Sequence, residues 1–377
     1  MRVAVAKETT ANERRVALVP DAVRLLVRAG LEVALQAGAG AAAGYPDAAY
    51  EAAGAKIEPD PAQLLAAADV VLAVQAPGDA AIASLRRGSV LVGFLRPLDQ
   101  PALAARLAAA GVTSFAVELV PRTTRAQAMD ALSSQASLAG YRAVLLAAVE
   151  LGKILPMMTT AAGTIAAARL LVIGAGVAGL QAIATARRLG ALVEAYDTRP
   201  AVKEQVESLG ARFVELPLDT RDAEGAGGYA KAQSDEFLAR QRELLAERVR
   251  AADAVITTAL VPGARAPLLI DASMVSGMRP GSVIVDLAAA NGGNCALTRP
   301  DETVVAGGVH VLGPTNLPAQ AAHDASRVYA RNLTALLQHL VKDGALQLDL
   351  GDEITRGALL THEGRVVAEA VQARLTR

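Results

Sequence analysis

The stretch Arg169–Gly179, RLLVIGAGVAG, constrains this chain more than any other. An apolar run, Leu170–Ile173, enters a turn carrying Gly174, Gly176 and Gly179, and an Ala-rich run over residues 180–189 leaves it. A second apolar run then ends at Asp197, eighteen residues past Gly179. Strand, G-x-G-x-x-G turn, helix and a spaced acid form the dinucleotide-binding arrangement. Gly174 permits the tight turn, Gly176 lets backbone approach a pyrophosphate, and Gly179 lets helix and strand pack closely. The helix N-terminus offers free N–H groups and the positive end of its dipole to phosphates. An acid at Asp197 accepts a ribose 2′-hydroxyl and opposes a 2′-phosphate, so the expectation is NAD rather than NADP. FAD and S-adenosylmethionine also use such turns, and glycines alone would fit any tight turn.

A chain of 377 residues has room for two ordinary domains. Its net charge of −1 and 3% aromatic content give no basic patch or base-stacking surface, so nucleic acid is not an expected partner. The one cysteine, Cys295, excludes an internal disulfide and suits a reducing compartment; it reads as a small loop residue. The four histidines lack metal-ligand spacing. The start, MRVAVAKETT, has no signal-peptide core, and the charge-poor stretches 154–168 and 170–186 are too interrupted to span a bilayer, so a soluble protein is expected.

Short apolar runs alternate with Ala/Leu-rich helical runs. Strands are expected at Val3–Ala6, Val33–Leu35, Val70–Val74, Val90–Leu95 and Ser114–Val117, then at Leu170–Ile173, Leu192–Tyr196, Arg212–Glu215, Ala254–Thr257, Val283–Asp286 and Val309–Leu312. This alternation predicts an α/β chain of two doubly wound parallel-sheet, Rossmann-like domains. Long helices near 131–151 and 320–342 join them, and a cleft between the domains is the default ligand site. The expected division is 1–132 with 323–377, and 133–322. Beyond Leu346–Leu350 the C-terminal segment shows no sheet-forming run and is expected to pack on the N-terminal domain.

Two polar segments stand out. Residues 217–233 are Gly-rich, longer than a usual βα loop, and hold Tyr229; a mobile lid and a surface insertion fit equally well. Between 122 and 134 lie Arg122, Arg125, Gln127, Asp130, Ser133 and Ser134. Gln127, Asp130 and Ser134 could share one face of a helix start, and with the arginines could hold a carboxamide or pyrophosphate. A capped helix N-terminus with surface polar residues is the simpler account.

KETTANERRVALVPDAV (7–23), PRTTRAQAMDALSSQASLAGYRAV (121–144), the GAGVAG turn, AGGYAK (226–231), TTALVPGARAPLLI (257–270) and VIVDLAAANGGN (283–294) resemble the NAD(H)-binding subunit of proton-translocating NAD(P) transhydrogenase, in order along nearly the whole chain. The resemblance is to the separately encoded peripheral subunit of the three-chain bacterial form. It implies a homodimer on the cytoplasmic face of the inner membrane, beside a membrane-embedded subunit and an NADP(H)-binding beta subunit. Little turnover is then expected from this chain alone. The resemblance assigns Arg122, Gln127, Asp130 and Ser133 to the dihydronicotinamide and its neighbouring phosphate. With the fingerprint it marks Gly174, Gly176, Val177, Gly179, Asp197, Thr198, Arg199, Gly228, Tyr229 and Leu260 as NAD(H) contacts, Tyr229 on a loop that closes over nucleotide.

Alanine dehydrogenase is the rival. It shares the RVAL-P run, LVPGA-AP and the late THEG motif (361–364). Where it has a catalytic Lys, His and Asp, this chain resembles it in surroundings but carries Gln75, Arg96 and Ala290. Oxidising an amino acid needs a base for the proton that accompanies the hydride; hydride transfer between nicotinamides does not. The losses favour the transhydrogenase, although Ala290 departs from that family's pattern too. Arg15 matches the substrate-carboxylate Arg of alanine dehydrogenase and is here expected to form a structural ion pair.

Overall fold

The computed structural model describes residues 1–218, 233–261, 263–342 and 344–376. They form two compact units, Met1–Gln135 with Pro318–Arg377, and Ala136–Leu317. The chain passes into the second unit within the helix Ala131–Glu150 and leaves it just before the helix Ala322–Leu340.

The first unit begins with β1 (Arg2–Val5), β2 (Glu32–Gln36), β3 (Lys56–Glu58), β4 (Val70–Leu72), β5 (Val90–Gly93) and β6 (Thr113–Ala116). The second holds a hairpin of β7 (Met158–Thr160) and β8 (Gly163–Ile165), then β9 (Arg169–Ile173), β10 (Leu192–Tyr196), β11 (Arg212–Phe213), β12 (Ala254–Thr257), β13 (Val283–Asp286), β14 (Thr303–Ala306) and β15 (Val309–Leu312). Back in the first unit come a hairpin of β16 (Val341–Lys342) and β17 (Ala345–Leu346), then β18 (Leu359–His362) and β19 (Arg365–Val366).

The first sheet runs β19-β18-β6-β5-β4-β1-β2-β3 and the second β11-β10-β9-β12-β13-β15-β14. Each contains the doubly wound order 3-2-1-4-5-6, parallel throughout that portion. Antiparallel strands extend one edge of each: β18 and β19 beyond β6, and β14 beyond β15.

Both faces of each sheet are covered, which explains the unbroken apolar runs. Val3 and Val5 enter one core and Ala4 the other; Leu170 and Val172 enter one and Leu171 and Ile173 the other. The first unit's C-terminal segment differs from the expectation. β18 and β19 complete its sheet, with Leu359 and Leu360 buried, whereas Ala345–Leu346 makes only a two-residue strand. Four residues reading LLTH directly after a helix are too short to show strand periodicity, and only pairing with β6 makes them a strand.

Candidate functional site

The glycine turn follows β9 in the second unit. Gly174 has φ +100°, and a β-carbon there would lie 2.5 Å from Thr258 Oγ1, whose hydroxyl donates to the Gly174 carbonyl at 2.9 Å. A β-carbon on Gly179 would lie 1.8 Å from the same carbonyl oxygen, so helix and strand meet there at backbone distance. Gly176 is different: nothing lies within 4 Å of its notional β-carbon. It is the N-cap of the helix Val177–Arg188 and no side chain caps that end, so first-turn N–H groups face space of the kind a pyrophosphate fills. A dinucleotide fits this cradle: tight where strand and helix must touch, open where phosphate would approach.

Asp197 follows β10 and is nearly buried, 9% exposed. Its Oδ2 accepts the Ala175 N–H at 2.7 Å, which fixes the middle of the glycine turn. Its Oδ1 accepts the Arg199 N–H at 2.9 Å and Nε at 2.9 Å, while Arg199 Nη2 reaches Oδ2 at 2.8 Å. The acid expected to meet a ribose is therefore held by an arginine fork. Val177 and Thr198 are half-buried. Leu260 is 39% exposed on the loop after β12. Gly228 and Tyr229 lie outside the described residues.

That loop is fixed by two residues of the VIVDLAAANGGN run (283–294), Asp286 and Asn294, to which the sequence assigned no role of their own. The Asn294 side chain accepts from the Ala259 N–H at 3.0 Å and donates to the Ala259 and Pro267 carbonyls at 2.9 Å. Asp286, fully buried at the end of β13, takes the hydroxyls of Thr257 (2.8 Å) and Thr298 (2.6 Å) and the N–H groups of Ala288, Asn294 and Cys295. The available signal was an acid closing an apolar strand ahead of Gly292-Gly293-Asn294. Cys295 is buried, and burial pushes its thiol up to about 11, a state without nucleophilic character.

The polar segment of the first unit is not one helical face. Thr124–Met129 is a 3-10 turn, and the helix starts only at Ala131. Asp130 stands before it as a cap: Oδ1 accepts the Ser133 N–H at 2.8 Å and Oδ2 the Ser133 hydroxyl at 2.6 Å. Gln127 and Arg122 are exposed, and Arg125 bonds Asp352 at 2.7 Å. Asn332 clamps both ends of the segment, donating to the Ala128 carbonyl at 2.9 Å and accepting the Ser134 hydroxyl at 2.7 Å.

Where β1 and β4 lie side by side, the first sheet has a closed ionic cluster. Partly buried Glu8 accepts the N–H groups of Val74 (2.6 Å) and Gln75 (3.2 Å). Buried Arg15 forks onto Glu13 at 2.8 and 2.6 Å and gives Nη1 to Gln135 at 2.9 Å; Gln75 also donates to Glu13 at 2.8 Å. Burial pushes Glu8 up to about 7 against those N–H bonds. Burial acts on Glu13 in the same direction, but the Arg15 bond and charge outweigh it and hold Glu13 down at about 2. Glu118 repeats the Glu8 pattern beside β5: it accepts the Leu95 and Arg96 N–H groups, and burial pushes it up to about 7. Among the described residues no group of acids, histidines and cysteine has metal-site geometry, and no helix is long and apolar enough to cross a membrane.

Two doubly wound units, one with a dinucleotide-type turn, define an α/β protein of nicotinamide-nucleotide architecture. Residues 4–139 match the N-terminal domain, and residues 143–369 the C-terminal domain, of the alanine dehydrogenase/PNT family, and the chain belongs to that family. It is 47% identical over 379 residues to an NAD(P) transhydrogenase subunit alpha chain of Rhodospirillum rubrum, a match spanning 98% of this chain and 99% of that protein. It is 32% identical to alanine dehydrogenase of Mycobacterium tuberculosis, over 98% of this chain and 96% of that protein. The transhydrogenase structure from Sinorhizobium meliloti superposes with TM-score 0.86 at 44% identity, covering 98% of this chain and 100% of that one. An L-alanine dehydrogenase structure superposes with TM-score 0.83 at 27% identity, covering 100% and 99%.

Proposed function

We propose that this chain is the NAD(H)-binding peripheral subunit of a proton-translocating NAD(P) transhydrogenase. It works as a homodimer with a membrane-embedded subunit and a beta subunit that binds NADP(H), on the cytoplasmic face of a bacterial inner membrane. Bound NADH supplies the hydride, and NADP+ on the partner accepts it. The glycine turn and the uncapped helix end behind it hold the pyrophosphate; Asp197, Thr198 and Arg199 hold the adenosine ribose; Leu260 borders the site. Arg122, Gln127, Asp130 and Ser133 orient the dihydronicotinamide. The chain's own work is positioning, which converts a bimolecular step into a local one.

One observation carries the choice over an amino-acid dehydrogenase. At the two positions of the first unit where alanine dehydrogenase resembles this chain but keeps its protic groups, Gln75 is tied to Glu13 and Arg96 stands half-exposed near Asp99 at 3.7 Å. Neither is a base poised for an amine proton. Arg15, which a carboxylate substrate would need, is held by Glu13 and Gln135.

The test is NADH-to-NADP+ hydride transfer, measured with the chain reconstituted with the partner subunits, and alanine oxidation by the chain alone. Transfer only in the reconstituted system supports the reading; alanine turnover without partners overturns it. In the same assay Gln127→Ala should slow transfer by about tenfold or more with NADH affinity changed less than about threefold, because it acts on ring geometry.

A further inference from the structure

Asp197 and Arg199 place two opposed signals at one point of the second sheet. In folds of this order, an acid after the second strand takes the ribose hydroxyl of NAD, while an arginine nearby accommodates the 2′-phosphate of NADP. This chain has both, two residues apart, and they are joined. Arg199 Nε lies 2.9 Å from Asp197 Oδ1 and Nη2 lies 2.8 Å from Oδ2, a two-pronged pair whose side chains are 13% and 6% exposed. The Arg199 N–H adds a third bond to Oδ1, and the Ala175 N–H occupies Oδ2. The carboxylate thus carries four donors, and its charge is met by a guanidinium in a largely buried place, where screening by water is weak.

A carboxylate in that state opposes a phosphate much less than a bare one, and the cation stands within hydrogen-bond reach of the atoms that would receive the ribose. We infer that Arg199 is a specificity-determining residue: paired with Asp197, it moderates this site's exclusion of a 2′-phosphorylated dinucleotide, so the preference for NAD(H) is set by the pair and not by Asp197 alone. This rests on the NAD(H) reading of the glycine turn. The fork matters as well as the charge, because a lysine ammonium cannot reproduce the bidentate geometry.

The test titrates the full chain with NADH and with NADPH, following nucleotide fluorescence, for wild type, Arg199→Ala, Arg199→Lys and Asp197→Asn, with thermal melts to confirm folding. Arg199→Ala should bare the acid and lower NADPH affinity about tenfold more than it lowers NADH affinity, a change in discrimination equivalent to ~1.4 kcal/mol. Asp197→Asn, which keeps an acceptor for Ala175, should move the ratio the other way, and Arg199→Lys should fall between wild type and Arg199→Ala. Equal losses for both nucleotides in Arg199→Ala, as from a side chain that merely stacks on the adenine, overturn the inference and leave the NAD(H) reading intact; so does an unchanged or smaller preference for NADH. Failure of wild type to bind either nucleotide overturns both. If Arg199→Ala does not fold, Arg199→Lys decides: a ratio equal to wild type overturns the inference, and a raised NADH preference supports it.

Discussion

The two units share a strand order and differ in what they place at the same point of it. In a doubly wound sheet, the crevice beyond the strand ends where the order reverses is where ligands bind. In the second unit that point, between β9 and β12, is built from backbone: glycines, an uncapped helix end, and Thr258 bracing the turn. In the first unit the corresponding point, between β1 and β4, is filled by side chains bonded to backbone and to one another: Glu8 accepts the backbone N–H groups of Val74 and Gln75, and Arg15 donates to Glu13 and Gln135. One fold therefore yields an open cradle or a closed ionic core, according to whether the residues after the first strand are glycines or long polar side chains. Function follows the site and not the strand order.

If that contrast is right, a substitution at the first unit's point should cost stability without touching nucleotide binding. Arg15→Met leaves Glu13 buried beside Gln75 without its cation, which should cost about 3–5 kcal/mol. NADH affinity of the folded variant should stay within about twofold. Urea unfolding and an NADH titration check both, and a large loss of NADH affinity in folded protein would break the comparison.

The glycine pair sharpens it from the other side. Gly179→Ala drives a methyl against the Gly174 carbonyl and should cost roughly 3 kcal/mol of stability along with nucleotide binding. Gly176→Ala meets nothing within 4 Å and has φ −75°, so its melting temperature should stay close to wild type. On the proposed NAD(H) reading its methyl would stand in the approach of the pyrophosphate, and NADH affinity should fall by about tenfold or more, roughly 1.4 kcal/mol. Unchanged NADH affinity in Gly176→Ala would remove the cradle.

The remaining contrast is a pH dependence confined to the first unit. Glu8 and Glu118 have folded values of about 7, above the ordinary 4.5, so the native state binds their protons more tightly than the unfolded chain. Their contribution is full below the unfolded value and is lost as pH rises towards and through about 7. Glu13, held at about 2, behaves oppositely: its contribution is present above 4.5 and disappears as pH falls towards 2. Glu8→Gln imitates the protonated acid. It should flatten the loss of stability between pH 5 and 8 by on the order of 1–3 kcal/mol, read as a smaller shift in urea midpoint between those conditions. An identical slope in wild type and Glu8→Gln would show that Glu8 titrates normally.

Much of the second unit was legible in the chain. Val309–Leu312, Val283–Asp286, Ala254–Thr257 and Leu192–Tyr196 are strands with the bounds their apolar runs suggest, because strands covered on both faces read as predominantly apolar segments, broken inside these four only by His310 and Glu194. The glycine spacing likewise states its own geometry, since only glycine tolerates φ +100° at Gly174 beside Thr258 and contact at Gly179. Strands that depend on a neighbour were hidden. β14 is an antiparallel edge strand with Val305 exposed, and β18 exists because β6 offers it a partner. The segment carrying Gln127 and Asp130 was visible as a polar island and a capped helix start was its simpler account, as Asp130 on Ser133 bears out; the 3-10 turn ahead of that cap was not legible.

What the sequence by itself determined is the family, the alternation of strand and helix, and the glycine turn, because each is written in local spacing or in the identity of consecutive residues. The tertiary structure alone decided that Arg199 grips Asp197, that Asn294 holds Ala259, that Asn332 spans Ala128 and Ser134, and that Arg15 is locked between Glu13 and Gln135. Several of these partners lie tens to hundreds of residues apart, as with Ala128 and Asn332 or Arg15 and Gln135. Which donor meets which acceptor is settled only when the sheets bring chain segments side by side, since a buried polar group must find its partner in space, wherever that partner stands in the sequence.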